Sequence, residues 1–259
     1  MKTNPLVKFY NRFETSLKYP YLEAGSIGIQ VGFDLSSKNL TSDLFNMSDR
    51  VGEKGLVIGI DPDNANHKRA QKVIEENGII NIQLVKIGTY KEKTTLEFHL
   101  ANRSSNNYLT VYEPEDRHYK TGNILKVDVD TFDSIVAPLN IDIDRVRHVN
   151  ITNNGAEYHT LVGMREFLSK AKNISVSLTC GRVGVMGLVD DKPDQDLILE
   201  EFKNQGFKSK FYRIKDLFWW GFYKKLLIKR KWMYSGKPHF GVVLAHKGNQ
   251  PIKLHHSYM

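Results

Sequence analysis

Two short apolar runs, each ending on a residue suited to a turn or a ligand and each followed by a helical stretch, constrain this chain more than anything else in it. Residues 26–32, Ser-Ile-Gly-Ile-Gln-Val-Gly, have the pattern of a buried strand that stops on Gly32. Residues 56–61, Leu-Val-Ile-Gly-Ile-Asp, have the pattern of a second that stops on Asp61. A helix is expected from about Leu40 after the first strand. Another is expected over residues 64–76 after the second, with Ala70, Val73 and Ile74 inward, Asp63 at its N-cap and Asn77-Gly78 closing it. Strands alternating with helices call for an α/β fold with a mainly parallel sheet, Rossmann-like and covered by helices on both faces.

The pattern continues along the chain. Residues 82–87 predict a third strand, and 94–100, which alternate in Thr-Leu-Glu-Phe-His-Leu, a strand or hairpin arm. A mixed segment covers 127–136, a strand 146–152, and a helix 156–169 with Leu161, Met164, Phe167 and Leu168 toward the core. Residues 173–179 predict a strand and 194–204 a helix, and 208–214 with 240–246 a closing antiparallel pair. Residues 102–122 and 181–193 are candidate lid loops. A chain of 259 residues suits one domain: a helical extension over 1–24, a ligand-binding core over 25–179 and a C-terminal part over 180–259.

A single cysteine, Cys180, rules out an intrachain disulfide and a cysteine-rich zinc site, and a reducing, cytoplasmic setting is expected. No run of about 18 uncharged apolar residues is present to span a bilayer. The formal net charge of +8 is concentrated in one place. Residues 202–232 hold ten Lys/Arg against one acid, Asp216. A nucleic-acid coat would spread such charge over a face drawn from several elements, so a nucleic-acid partner is not expected.

Ligands of open α/β sheets bind beyond the C-terminal strand ends, where the strand order reverses. Gly32 lets a ligand approach the backbone there, and equally serves a tight connection with no ligand. Asp61 is placed to accept both hydroxyl hydrogens of a ribose, with a spacing from Gly32 that suits one βαβ unit. A pyrophosphate cofactor would need G-x-G-x-x-G, whereas the glycines are Gly25, Gly28 and Gly32. Farther on, Asn150, Thr152 and Asn153 reach a strand end, where they offer neutral hydrogen-bonding groups to a reacting hydroxyl. Alternatively, Asn153 or Asn154 only caps the next helix.

Residues 25–179 resemble the FkbM-type O-methyltransferases. The first strand ends in glycine, Asp61-Pro62 matches an acidic-proline pair, and Thr131-Phe132-Asp133 matches a T-L-D segment. Asn150-Ile-Thr-Asn-Asn-Gly155-Ala156-Glu157, followed by Leu161-Val-Gly163, matches K-I-D-x-E-G-A-E and L-x-G. Five positions depart: Asn150, Thr152 and Asn154 stand for the motif's lysine, aspartate and glutamate, Gln30 for an aspartate in the first strand, and Ser36 for a loop glycine. The resemblance implies a class I methyltransferase fold, S-adenosylmethionine as cofactor, and methyl transfer to a hydroxyl of a sugar, glycolipid or other small-molecule acceptor. It implies a cofactor set of Gly32, Phe33, Asp34, Asp61, Pro62, Gly88, Thr152 and Asn153, with Asn150, Thr152 and His159 as catalytic candidates and no metal. Asp34, Glu113, Glu115, Asp116 and His118 are further candidate bases. The neutral replacements leave open a second reading, a catalytically disabled methyltransferase-fold protein that binds a membrane or a partner.

Residues 215–232 are the least expected stretch. On a helical wheel Trp219, Trp220, Phe222, Tyr223, Leu226 and Leu227 gather on one side, with Lys224, Lys225, Lys229 and Lys231 largely elsewhere. Such a segment suits peripheral contact with an anionic membrane or a lipid-linked acceptor, a lid, or a helix packed on the sheet.

Overall fold

The computed structural model describes residues 19, 21–35, 42–101, 107–109, 120–181, 188–190, 192–213 and 241–248. In chain order the elements begin with β1 (Ile27–Val31), α1 (Asp43–Val51), β2 (Leu56–Ile60), α2 (Asn64–Asn77), β3 (Ile82–Val85), β4 (Gly88–Tyr90), β5 (Thr94–Ala101), β6 (Tyr108–Leu109) and β7 (Lys120–Thr131). There follow α3 (Phe132–Val136), β8 (Val146–Ile151), α4 (Glu157–Val162), α5 (Arg165–Lys170) and β9 (Ile174–Cys180). The described chain ends with β10 (Leu188–Val189), β11 (Lys192–Pro193), α6 (Asp194–Asn204), β12 (Lys208–Arg213) and β13 (Gly241–Lys247).

Seven strands form one sheet in the order β12-β13-β9-β8-β1-β2-β3. β1, β2, β3, β8 and β9 are parallel, and β13 runs antiparallel between β9 and β12. This is the Rossmann-like α/β architecture, a mainly parallel sheet with an antiparallel C-terminal strand, that the sequence leads one to expect. From β1 the chain builds outward through β2 and β3, then returns to place β8 on the other side of β1. The order therefore reverses between β1 and β8, where such sheets bind ligands.

The period-two pattern of β1 explains how its two faces are covered. Ile27, Ile29 and Val31 pack with Phe132, Leu161, Met164, Phe167 and Leu168 on one face. Leu22, Leu44, Met47, Val51 and Val57 form a separate core on the other. The expected caps of α2 are present: Asp63 accepts from the Ala65 N–H at 2.8 Å, and Gly78 closes the helix in the left-handed region.

Three local expectations are corrected. The 82–87 strand ends at Val85, and β4 just beyond it belongs to a second sheet of order β4-β7-β5-β6. That sheet takes in residues 108–109 and 120–122 of the 102–122 stretch through β6 and the start of β7, and the 127–136 segment divides into the end of β7 and α3. The 156–169 helix is two helices, broken at Gly163 and Met164. At the break the Gly163 carbonyl accepts from the Asp133 N–H at 3.0 Å, and a β-carbon on Gly163 would lie 2.1 Å from the Tyr90 oxygen. The Asp133 carboxylate then accepts from Glu166 N–H at 2.9 Å and Phe167 N–H at 2.8 Å, which starts α5 afresh.

The closing pair β12 and β13 forms as expected. Residues 1–18 and 20 of the 1–24 extension and the 215–232 segment lie outside the described residues, and residues 21–24 of that expected helical extension form no helix. Among the described residues no helix is long and apolar enough to cross a membrane.

Candidate functional site

Gly32 closes β1 with φ +70°, and a β-carbon there would sit 2.5 Å from the Thr152 carbonyl oxygen. Only glycine accommodates both the backbone angle and the approach. The turn is tied to strands on both sides. Gly32 N–H donates to Ile60 O at 2.8 Å, and Thr152 N–H donates to Val31 O at 2.9 Å. The Gly32 carbonyl accepts from Gln30 Nε2 at 2.6 Å and Thr152 Oγ at 2.8 Å. Phe33, buried against the α1 core, has its carbonyl held by Asn66 Nδ2 at 2.8 Å and its ring tilted against His67.

Asp61 stands beside this turn at the end of β2. Its Oδ2 accepts from the Phe33 N–H at 3.1 Å and its Oδ1 from the Asp63 N–H at 2.8 Å. Burial raises its carboxyl from 3.8 to about 7, against the pull of those two N–H groups. The Asp61 backbone carbonyl accepts from His67 Nε2 at 2.7 Å, and burial lowers the His67 imidazole from its usual value. Each carboxylate oxygen thus holds one backbone N–H, and a carboxylate offers about four lone-pair directions. The Asn66 side chain bonds to the carboxylate as well.

A second polar group lies at the ends of β4 and β8. Asn153 Nδ2 donates to Thr160 Oγ at 2.7 Å and to Thr89 Oγ at 3.1 Å, and the two hydroxyls are 2.7 Å apart. Asn153 Oδ1 is buried and finds no partner among the described residues. The capping alternative for Asn153 and Asn154 is overturned: α4 has Ala156 at its N-cap with no side-chain cap. Asn154 instead turns the chain at φ 53° and donates to the Asn107 carbonyl at 2.9 Å, while Asn107 Nδ2 donates to Asp63 at 3.1 Å. Glu157, in the first turn of α4, accepts from the Gly155 N–H.

Gly32, Phe33, Asp61 and Thr152 therefore come together directly, and Asn153 joins them from the next residue of the β8 loop. Asp34 and Pro62 are half-buried neighbours of Phe33 and Asp61. Gly88 opens β4 opposite Val129. Asn150 lies one turn of the pleat deeper, buried on Gln30. His159 stacks on Tyr90 at 4.7 Å with Tyr158 edge-on, and burial lowers its imidazole, with Lys91 acting the same way. His159 Nδ1 has no partner among the described residues. The acids and histidine at 113–118 lie outside them. Asn66, Thr89, Asn107 and Thr160 have no local sequence signal, because each acts through contacts 33 to 71 residues away. Among the described residues no cluster of His, Cys, Asp or Glu could hold a metal.

No family model matches the chain. No curated protein matches it either. Among solved structures it is similar to a methyltransferase FkbM from Methylobacillus flagellatus, at 14% identity and a TM-score of 0.47, over 90% of this chain and 47% of that one. An rRNA methylase from Streptococcus thermophilus is similar at 12% identity and a TM-score of 0.43, over 96% and 99%. Fibrillarin from Aeropyrum pernix, solved with natively bound S-adenosyl-L-methionine, is similar at 9% identity and a TM-score of 0.46, over 92% and 74%.

Proposed function

We propose that the chain is an S-adenosylmethionine-dependent methyltransferase that methylates a hydroxyl of a sugar, glycolipid or other small-molecule acceptor. One observation carries the reading: Asp61 is buried at the reversal of strand order and locked to the Phe33 N–H beside the Gly32 turn. A carboxylate so placed suits the two hydroxyls of a ribose. The Gly32 turn supplies close backbone approach, and the unpartnered Asn153 Oδ1 offers an acceptor to an N–H or O–H. These groups fit a nucleoside cofactor that carries no phosphate.

Bound adenosylmethionine would supply an activated methyl group on a sulfonium. The protein's own task is then to hold the acceptor in line and exclude water, with a base optional. His159 is the candidate proton acceptor whose imidazole burial and Lys91 shift toward the neutral form. Asn150, Thr152 and Asn154 are neutral where the resemblance has charges, which favours a second reading: a methyltransferase-fold module that binds cofactor without transferring methyl. Contact of the 215–232 segment with an anionic membrane remains part of either reading.

Incubation with methyl-labelled adenosylmethionine and a panel of sugars, glycolipids and ribosomal RNA separates these outcomes. Label on a hydroxyl of a sugar or glycolipid, lost in Asp61→Ala, is expected. Label on RNA alone would replace the acceptor class, and cofactor binding with no label anywhere would establish the second reading.

A further inference from the structure

Polar side chains form a row across the buried sheet face that packs on α1, where a doubly covered sheet ordinarily carries apolar ones. Gln30 pairs in register with Asn150, Asn150 with Ser177, and His148 with Ser175. All five are buried.

Their hydrogen bonds have one consistent direction. The Gly32 carbonyl can only accept, so Gln30 Nε2 donates to it and Gln30 Oε1 faces Asn150. Asn150 must then present Nδ2 to Gln30, at 2.8 Å, and Oδ1 to Ser177. Its second amide hydrogen faces Asp43 Oδ2 at 3.3 Å. The Ser177 hydroxyl spends its hydrogen on Asn150, so His148 Nε2, 3.0 Å from Ser177 Oγ, carries a hydrogen and donates it. In a neutral imidazole Nδ1 is then bare, so the Ser175 hydroxyl, which also lies 3.1 Å from the Arg147 carbonyl, turns its one hydrogen to Nδ1 at 2.8 Å. At the far end the Gly32–Phe33 peptide passes the direction on, since its oxygen accepts from Gln30 and its N–H donates to Asp61. From His148 through Ser177, Asn150 and Gln30 to the Gly32–Phe33 peptide, each link has a donor pointing toward Asp61, with side bonds from Asn150 to Asp43 and from Gln30 to Thr152, and hydrogen bonds aligned in series polarise one another.

We propose that this row is a positioning device: Gln30, Asn150, Ser177 and His148 hold the Gly32–Phe33 peptide on Asp61 and so aim the carboxylate at its ligand. The inference rests on the cofactor reading of Asp61. None of the four needs to touch the ligand. It also accounts for two departures from the FkbM-type pattern, because Gln30 and Asn150, which stand where that pattern has an acid and a lysine, are each other's partner. An amide pair keeps the bond without burying two charges, so the exchange preserves the device rather than dismantling it.

Nitrogen-15 NMR of the ligand-free full chain near neutral pH tests the direction on the wild type. The expected His148 tautomer has Nε2 protonated and Nδ1 bare, and the opposite tautomer would overturn the proposal. Ser177→Ala and Ser177→Thr test the coupling. Ser177→Ala is expected to shift the Phe33 amide resonance, raise the Asp61 titration midpoint and weaken adenosylmethionine binding about tenfold, while Ser177→Thr restores all three. A folded Ser177→Ala with Phe33 and Asp61 unchanged would overturn the proposal, and if it does not fold the wild-type tautomer decides. Should the wild type bind no adenosylmethionine while Phe33 and Asp61 respond to Ser177→Ala, the row stands and the cofactor reading falls.

Discussion

Burial lifts the Asp61 carboxyl from 3.8 to about 7, so the folded protein holds a proton there that the unfolded chain releases. The stability this confers is complete below about pH 4 and is lost as pH rises through about 7. Thermal unfolding of the wild type is therefore expected to show a decline from pH 5 to pH 8 that Asp61→Asn removes, and calorimetry at the two pH values checks it. Ligand hydroxyls favour the ionised form, so cofactor affinity should rise across the same range. At Gly32 a β-carbon would meet both a left-handed backbone and the Thr152 oxygen at 2.5 Å. Gly32→Ala should cost about 2 kcal/mol or more in urea unfolding. Wild-type stability in that variant would show that the turn is not locked.

At the scale of elements, the break between α4 and α5 depends on Asp133, whose carboxylate takes the first free N–H groups of α5. Asp133→Ala should cost about 1 kcal/mol, read by chemical denaturation, with the fold retained. The break illustrates what a sequence pattern holds and what it lacks. The apolar spacing through Leu161, Met164, Phe167 and Leu168 continues across Gly163 as if one helix ran through it. At the break the Tyr90 carbonyl, from another sheet, lies so close to Gly163 that only glycine fits, and that approach leaves no trace in the local pattern. By contrast Asp63 and Gly78 cap α2 from within their own segment, and both are legible in the chain. The second sheet is missed for the same reason as the break: β7 takes its meaning from β4 and β5, which pair with it on either side. Another link between elements is the twofold hydrogen-bonded pair of Arg165 on α5 with Glu201 on α6, at 2.6 and 2.7 Å. Arg165 lowers the Glu201 carboxyl from its usual value, so the pair's contribution is lost as pH falls through the acid range. An acid-unfolding profile of Glu201→Gln that is flatter than the wild type's is expected.

For the whole molecule, the alternation of strands and helices is legible because β1, β2, β8 and β9 each carry their own apolar run. Gly32 and Asp61 are legible because strand ends in such a sheet are predictable places for a ligand. The polar row is not: Gln30, Asn150, Ser177 and His148 are scattered over some 150 residues and become one row only when β1, β8 and β9 are in register. The neutral residues that look like losses in the linear motif become partners in the folded sheet. Whether that sheet holds a nucleoside cofactor on Asp61 is decided most directly by isothermal titration of S-adenosylmethionine into the full chain, wild type and Asp61→Ala, at pH 8. One site per chain in the wild type and a loss of affinity of at least about tenfold in the variant are predicted. A folded wild type that takes up no adenosylmethionine, or an Asp61→Ala variant that binds it equally well, would contradict the account.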